Sequence, residues 1–145
     1  MNPFTNHAAS SYPTGGFVTE KPISILVVED DIIICEDIRN SIQRLGFQQV
    51  RVVTSGEEAI ESVRREKPDI VFMDIVLRGE LNGIDTAEIL ARDHIGVIFL
   101  SAYSDQSVRK RTEALNPLGY LTKPFHSNDL KAVLEIAVGK LKKQE

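Results

Sequence analysis

Short apolar segments alternate along the chain with longer segments in which apolar residues recur at helical spacing. The first apolar segment, residues 23–28, is rich in β-branched residues, which is typical of a strand buried on both faces of a parallel sheet. Comparable segments occupy residues 69–74 and 96–100, whereas residues 49–53 are more polar and residues 118–121 form a shorter run. The pattern predicts five strands, the second of which is exposed at an edge of the sheet.

Between and after these strands, apolar residues recur every three or four positions, as expected of helices with one buried face. The second helix is predicted to begin at the N-cap Ser55, with Glu58 completing a capping box. The fourth, around residues 105–115, has few apolar positions, among them Val108 and Leu115, so we expect it to be loosely anchored. The inward stripes of the first, third and fifth helices are predicted to be Ile34, Ile38, Ile42 and Leu45; Ile84, Ala87, Leu90 and Ala91; and Leu130, Val133, Leu134, Ala137, Val138 and Leu141.

Strands that alternate with helices predict an α/β domain built on a doubly wound, five-stranded parallel sheet with right-handed crossovers. The expected strand order is 2-1-3-4-5. We place this single domain at residues 22–145, a length that can bury a core without disulfides. Residues 1–21 are rich in Asn, Ser, Thr, Pro and Gly without periodicity, and we expect them to be a disordered leader.

Charge and cysteine content narrow the classes of function. The net charge is −4 with acidic and basic residues interspersed, which argues against direct binding of nucleic acid. The single cysteine, Cys35, excludes an intramolecular disulfide and favours a cytoplasmic location. No apolar run approaches the ~20 residues that span a bilayer, so no membrane association is expected.

Polar side chains gather where the predicted strands end. Glu29 and Asp30 follow the first strand, and Asp74 ends the third. Ser101 ends the fourth strand, and Lys123 comes just after the fifth. Because the carboxyl ends of parallel strands meet at one edge of the sheet, these residues are expected to converge there.

Carboxylates clustered at this edge repel one another unless a cation lies between them. Two like charges about 4 Å apart repel by ~4 kcal/mol at an effective dielectric constant of 20. Mg²⁺ suits a shell of oxygen ligands with few protein carboxylates and room for a phosphate oxygen. We therefore predict a Mg²⁺ site here. Asp31 is interpreted differently, as the N-cap of the first helix.

Four segments at these strand ends resemble the response-regulator receiver family, whose simplest members are single-domain regulators of the chemotaxis type. The segments are ILVVEDD at 25–31, DIVFMDIVL at 69–77, VIFLSAYSD at 97–105 and GYLTKPF at 119–125. The resemblance covers the chain from about Ile23 to Leu141. It implies a flavodoxin-like (βα)5 fold and a role as the phosphoacceptor receiver domain of a two-component phosphorelay.

The resemblance also implies a set of metal ligands. Asp30 would bind Mg²⁺ directly, and Glu29 would do so through water. Asp74 and the backbone carbonyl of Val76 would complete the protein ligands.

Phosphoryl transfer is assigned by the same resemblance. Asp74 would be the phosphoacceptor, Lys123 would pair with it or with the phosphoryl group, and Ser101 would hydrogen-bond a phosphoryl oxygen. Tyr120 would be the aromatic switch on the fifth strand. The Lys123–Pro124 bond is commonly cis in relatives, which suits the low cost of a cis bond before proline.

The expected partners follow from this role. A sensor histidine kinase or a histidine phosphotransfer protein would donate the phosphoryl group. Phosphorylation would reshape the face made by helix four, strand five and helix five, which would then bind an unknown downstream protein or form a homodimer. The chain would catalyse only its own phosphorylation and dephosphorylation, so we do not expect a conventional enzyme.

Two features depart from the family pattern. The loop at residues 76–83 is longer by about two residues than in most relatives and lacks proline. Val76 and Tyr103, at positions that flank the phosphoryl group in relatives, are less hydrophilic than many counterparts. We expect them to hinder the attacking water and to prolong the life of the phosphorylated form.

Two alternatives stay open at this point. The chain could relay its phosphoryl group to a histidine phosphotransfer protein instead of switching a partner. It could also be a flavodoxin-like cofactor binder or a small hydrolase, because fold alone does not decide function. The acidic edge argues against a flavin phosphate, which favours amide and hydroxyl donors.

Overall fold

The computed structural model describes residues 22–102 and 106–143. The leader predicted at residues 1–21 lies outside the described residues, as does Tyr103. In the described part, strands and helices alternate. The strands are β1 (Ser24–Val28), β2 (Gln49–Val53), β3 (Ile70–Asp74), β4 (Gly96–Ser101) and β5 (Gly119–Thr122). The helices are α1 (Ile32–Arg44), α2 (Gly56–Arg65), α3 (Gly83–Ala91), α4 (Gln106–Glu113) and α5 (Ser127–Lys143).

The five strands form one sheet in the order β2-β1-β3-β4-β5, and every neighbouring pair is parallel. This confirms the predicted fold class and strand order. All residues of β3 are buried, as the continuous apolar run predicts, whereas β2 begins exposed and has a single buried residue, Val50. The second strand is therefore the exposed edge strand that its polarity predicts.

Successive residues of the central strands point to opposite faces of the sheet, so the core forms two clusters. Val27 and Phe72 belong to the cluster that α1 and α5 cover. Val28 and Met73 belong to the cluster that α2 and α3 cover. Because both layers of helices start at the carboxyl edge of the sheet, that edge collects the helix starts as well as the strand ends. None of the helices in the described residues is long and apolar enough to cross a membrane.

Side-chain caps fix the helix starts nearest this edge. An oxygen of Asp31 accepts the N–H groups of Ile33 at 2.9 Å and Ile34 at 3.4 Å, which confirms its predicted N-cap role. Ser55 caps α2 by accepting the N–H of Glu58 at 3.1 Å, also as predicted. In a standard capping box the Glu58 carboxylate would accept the N–H of the N-cap, Ser55. Here it accepts the N–H of the preceding residue, Thr54, at 2.9 Å.

Helix α4 is anchored differently from the other helices. Of its side chains at residues 108–113, only Thr112 is buried. Its hydroxyl lies 2.8 Å from the Tyr120 hydroxyl, and the Arg109 guanidinium lies 3.9 Å from the centre of the Tyr120 ring. Arg111 forms ion pairs with two acidic residues of α3. Polar contacts thus do much of the anchoring, in line with the few apolar positions in the sequence.

Candidate functional site

Three carboxylates from adjacent strand ends meet at the carboxyl edge of the sheet. Glu29, Asp30 and Asp74 each offer one oxygen, and these oxygens lie within 4.8 Å of one another. They meet because β1 and β3 are parallel neighbours, with Val28 opposite Met73 in the register. The residues Glu29 and Asp74 are only 2% and 5% exposed. The structure thus brings together the acidic residues that the sequence singled out.

Lys123 supplies the positive charge at the buried end of this cluster. Its Nζ donates to Oε1 of Glu29 and to Oδ2 of Asp74, at 2.7 Å in each case. Its backbone N–H donates to the carbonyl of Ser101 at 2.7 Å, which ties the loop after β5 to the end of β4. The following peptide bond, Lys123–Pro124, is cis as predicted.

Burial and mutual repulsion set the protonation of these groups. Burial raises the pKa of Glu29 to about 7, and the neighbouring Asp74 carboxylate adds to this increase against the opposing effect of Lys123. Burial alone would lower the pKa of Lys123, but Asp74 and Glu29 outweigh it and raise that pKa above its ordinary value. Lys123 therefore offsets only part of the effect that burial and Asp74 have on the pKa of Glu29.

Asp30 lies at the solvent end of the cluster and has a different partner. Its Oδ2 accepts the backbone N–H of Arg78 at 3.1 Å and the Nε of the same residue at 3.0 Å. Partial burial acts to raise the pKa of Asp30, but the hydrogen bonds and charge of Arg78 outweigh it, with a contribution from Glu29, and lower that pKa. Sequence reasoning missed Arg78, and the unusual length of its loop was the only signal.

The loop after Asp74 is tied down at both ends. The N–H of Val76 donates to Oδ1 of Asp74 at 2.9 Å, while the residue itself is 72% exposed. At the far end, a Cβ at Gly83 would lie 1.8 Å from the Asp74 carbonyl oxygen, so only glycine fits where α3 begins. The Val76 N–H thus positions the Asp74 carboxylate, and the start of α3 packs closely against the Asp74 backbone. The role of the Val76 carbonyl as a metal ligand stays a prediction, as does the long-lived phosphorylated form.

The remaining predicted residues lie along β4 and β5. Ser101 ends β4 and is partly buried, with its carbonyl engaged by Lys123. Tyr120 is also partly buried, and its ring stacks on Phe99 with the centroids 5.9 Å apart. Tyr103 lies outside the described residues. Ser101 and Tyr120 therefore stand on neighbouring strands, and their roles in phosphorylation stay predictions.

Comparisons with known proteins agree with this architecture. Residues 25–135 match the family model described as the response regulator receiver domain. The chain is 30% identical over 131 residues to the transcriptional regulatory protein PdtaR of Mycobacterium tuberculosis strain CDC 1551 / Oshkosh, covering 90% of this chain and 63% of that protein. It is 38% identical over 125 residues to the transcriptional regulatory protein ZraR of Escherichia coli strain K12, covering 83% of this chain and 27% of that protein.

Among solved structures, the chain resembles the signal receiver domain of a modulated diguanylate cyclase from Desulfovibrio desulfuricans G20. The TM-score is 0.76 at 34% identity, over 84% of this chain and 98% of that one. The chain spans less than two thirds of the length of the two curated relatives, 63% of one and 27% of the other, so their whole-protein activities do not transfer to it. The match of residues 25–135 shows that the chain belongs to the response regulator receiver domain family of two-component signal transduction.

Proposed function

We propose that Asp74 accepts a phosphoryl group from a phosphohistidine in a Mg²⁺-dependent reaction, and that the phosphorylated chain switches the binding of a partner. The observation that carries this proposal is the setting of the Asp74 carboxylate. One of its oxygens faces the Lys123 ammonium at 2.7 Å, and the other accepts the N–H of Val76 at 2.9 Å. One carboxylate oxygen of Glu29 and one of Asp30 lie within 4.8 Å of an Asp74 oxygen.

The donor atoms fit a hard divalent cation. They are all oxygens, within 4.8 Å of one another, and one of the carboxylates has a pKa raised by burial and by its acidic neighbour. Mg²⁺ prefers a few carboxylates together with water and phosphate oxygens. The ion would be held by Glu29, Asp30, Asp74 and the Val76 carbonyl. When bound, it would neutralise the negative charge on the oxygens of the transferring group.

The chain itself supplies position and charge. The Asp74 carboxylate attacks phosphorus in line, a P–O bond forms, the P–N bond of the donor breaks, and the bonding electrons leave with the imidazole. Lys123 neutralises charge on the acceptor and on the transferred group. The hydroxyl of Ser101 then hydrogen-bonds a phosphoryl oxygen. This chemistry is confined to the chain's own phosphorylation and its reversal by water.

The surface around the acidic cluster suits a protein donor. Ile32 and Ile33, at the start of α1, are 51% and 72% exposed, and Val76 is 72% exposed beside Asp74. Exposed apolar side chains that border a charged site are typical of protein contact surfaces. We infer that a sensor histidine kinase or a histidine phosphotransfer protein docks here. The single cysteine fits a cytoplasmic setting for this exchange.

The output surface is proposed to be the face of α4, β5 and α5. A groove of about 780 Å³ runs between β5 and α5 and includes Tyr120, Lys123 and Ile136, the last of which is 56% exposed. Lys123 thus belongs both to the acidic cluster and to this groove. A change at Asp74 would reach a downstream protein, or a second copy of the chain, by this route.

The phosphoacceptor is tested by mass spectrometry after incubation with Mg²⁺ and acetyl phosphate. We expect a gain of about 80 Da in the wild type, which corresponds to one phosphoryl group. Asp74→Asn should show no gain, whereas the control Asp93→Asn, the same change at an exposed site after α3, should gain as the wild type does. A gain that persists in Asp74→Asn, or no gain in the wild type, would contradict the assignment.

A second assay separates the switch from the relay. The phosphorylated chain is mixed with a histidine phosphotransfer protein, and the mass of each is followed. Retention of the phosphoryl group on the chain supports the switch. Rapid transfer to the histidine supports the relay.

A further inference from the structure

We propose that Arg78 competes with the divalent cation for Asp30, so that its guanidinium lowers the affinity of the metal site and makes that affinity depend on ionic strength. This inference rests on the metal site proposed above. It concerns Arg78, to which the resemblance to the receiver family gives no role.

The contact between Arg78 and Asp30 is specific and reaches across the site. Two donors of one residue, the backbone N–H and Nε, converge on a single oxygen of Asp30, 48 positions earlier in the chain. Leu77 is buried in the core just before Arg78, and Gly79 takes a φ of 106° just after it. The backbone therefore holds Arg78 at the mouth of the site, and the side chain adds a positive charge there.

The two basic residues hold different carboxylates, and this identifies Asp30 as the ligand for which Arg78 and the metal compete. Lys123 is 25% exposed and holds Glu29 and Asp74 from the buried side. Arg78 is 85% exposed and holds Asp30 from the solvent side. The Asp30 side chain is only 18% exposed, but the guanidinium is open to solvent and returns to water when it is displaced, so a divalent cation can replace it at modest cost. The two cations would repel each other if both stayed on one carboxylate, so binding of one disfavours the other.

An alternative role for Arg78 predicts that the affinity for metal changes in the opposite direction when the guanidinium is removed. If Arg78 instead served to orient Asp30 for the metal, its removal would weaken metal binding. The backbone N–H of Arg78 stays in Arg78→Gln and in Arg78→Lys, so these variants test the guanidinium alone. The affinity change therefore distinguishes the two roles directly.

The test is isothermal titration of Mg²⁺ into wild type, Arg78→Gln, Arg78→Lys and Arg65→Gln. Arg65 is the control, because its side chain is exposed like that of Arg78, at 70% against 85%, it also pairs with a carboxylate, Glu61 in α2, and the charge change is the same. We expect the Kd for Mg²⁺ to fall about two- to fivefold in Arg78→Gln, the range of an exposed ion pair. Arg65→Gln should bind as the wild type does, and Arg78→Lys should lie nearer to the wild type than Arg78→Gln. The difference should shrink at about 0.5 M NaCl.

Two results would overturn the inference. An Arg78→Gln affinity equal to that of Arg65→Gln would mean that the guanidinium does not compete, and a weaker affinity would mean that it orients Asp30. Failure of the proposed function looks different. If no variant binds Mg²⁺, the metal site itself is wrong, and the competition falls with it. If Mg²⁺ binds but the mass gain at Asp74 is absent, only the phosphoacceptor assignment is wrong.

Discussion

Two basic residues, Lys123 and Arg78, form ion pairs with the acidic cluster, and their settings differ in almost every physical respect. On the buried side, Lys123 bridges Glu29 and Asp74, whose side chains are 2% and 7% exposed. On the solvent side, Arg78 meets Asp30 with its own side chain 85% exposed. Removing Lys123 leaves two buried carboxylates without their counter-charge, whereas Arg78 is already in water and its partner Asp30, at 18% exposed, keeps some access to solvent. The site thus combines one fixed positive charge with one that is easily displaced.

The largest difference should appear in the free energy of unfolding when Lys123 and Arg78 are each replaced by a neutral residue in the absence of metal. In EDTA at about pH 8, Lys123→Met should lower the free energy of unfolding by about 3 kcal/mol, because two buried carboxylates lose their counter-charge. Arg78→Gln should lower it by less than about 1 kcal/mol. Urea unfolding followed by circular dichroism measures both. Equal losses in the two variants would show that the two pairs do not differ as their burial indicates.

The unfolding free energy measured in EDTA at several pH values tests the same comparison through Glu29, one of the carboxylates that Lys123 holds. Burial and the Asp74 carboxylate raise the pKa of Glu29 to about 7 from its ordinary 4.5, so the folded state binds this proton more tightly than the unfolded chain does. The resulting stability is fully present below the ordinary pKa and is lost as pH rises through about 7. The lowered pKa of Asp30 and the raised pKa of Lys123 act outside this window.

We therefore expect the metal-free wild type to lose on the order of 2 kcal/mol of unfolding free energy between about pH 5 and pH 8. Glu29→Gln has no proton to lose and should show a much flatter profile. Urea unfolding at several pH values measures the slope. A profile as steep in Glu29→Gln as in the wild type would assign the pH dependence to another group.

The smallest expected effect is the stabilisation by Mg²⁺. At tenfold excess over Kd, a ligand that binds only the folded state adds about 1.4 kcal/mol. Asp30→Asn should lose most of this gain, which a thermal unfolding scan with and without Mg²⁺ detects. Asp31→Asn is the control, because Asn caps a helix as well as Asp and the adjacent carboxylate is not proposed as a ligand. Loss of the Mg²⁺ effect in Asp31→Asn as well would contradict the assignment of Asp31 as a cap alone.

The acidic cluster and Lys123 could be predicted from the sequence, and the contact of Arg78 with Asp30 could not. Apolar runs place Glu29 and Asp74 at strand ends, and strand order then brings them together with Lys123 from the far edge. The contact between Arg78 and Asp30 depends on the path of an irregular loop, which has no periodicity to read. The sequence shows that this loop is longer than in most of the family, but it does not show where the Arg78 side chain points.

The helices show the same division. Caps such as Asp31 and Ser55 were predictable, because a short polar side chain before an apolar stripe has a local physical reason to be there. The fourth helix was expected to be loosely anchored because Val108 and Leu115 are its few apolar positions; both are only partly buried, α4 ends at Glu113 before Leu115, and its fully buried side chain at residues 108–113 is Thr112. The Thr112 hydroxyl lies close to two carbonyls of its own helix and 2.8 Å from the Tyr120 hydroxyl, and this last contact is with a tertiary partner that a helical pattern does not reveal.

This hydroxyl contact bears on how α4 moves. A helix held by apolar burial must expose that area to shift, whereas a hydrogen bond can be exchanged for one to water at a small net cost. The amide hydrogens of α4 should therefore exchange with deuterium from openings of lower free energy than those of α1 or α5. The helix then samples displaced positions often, and a partner protein that favours one of them need supply little energy to hold it there.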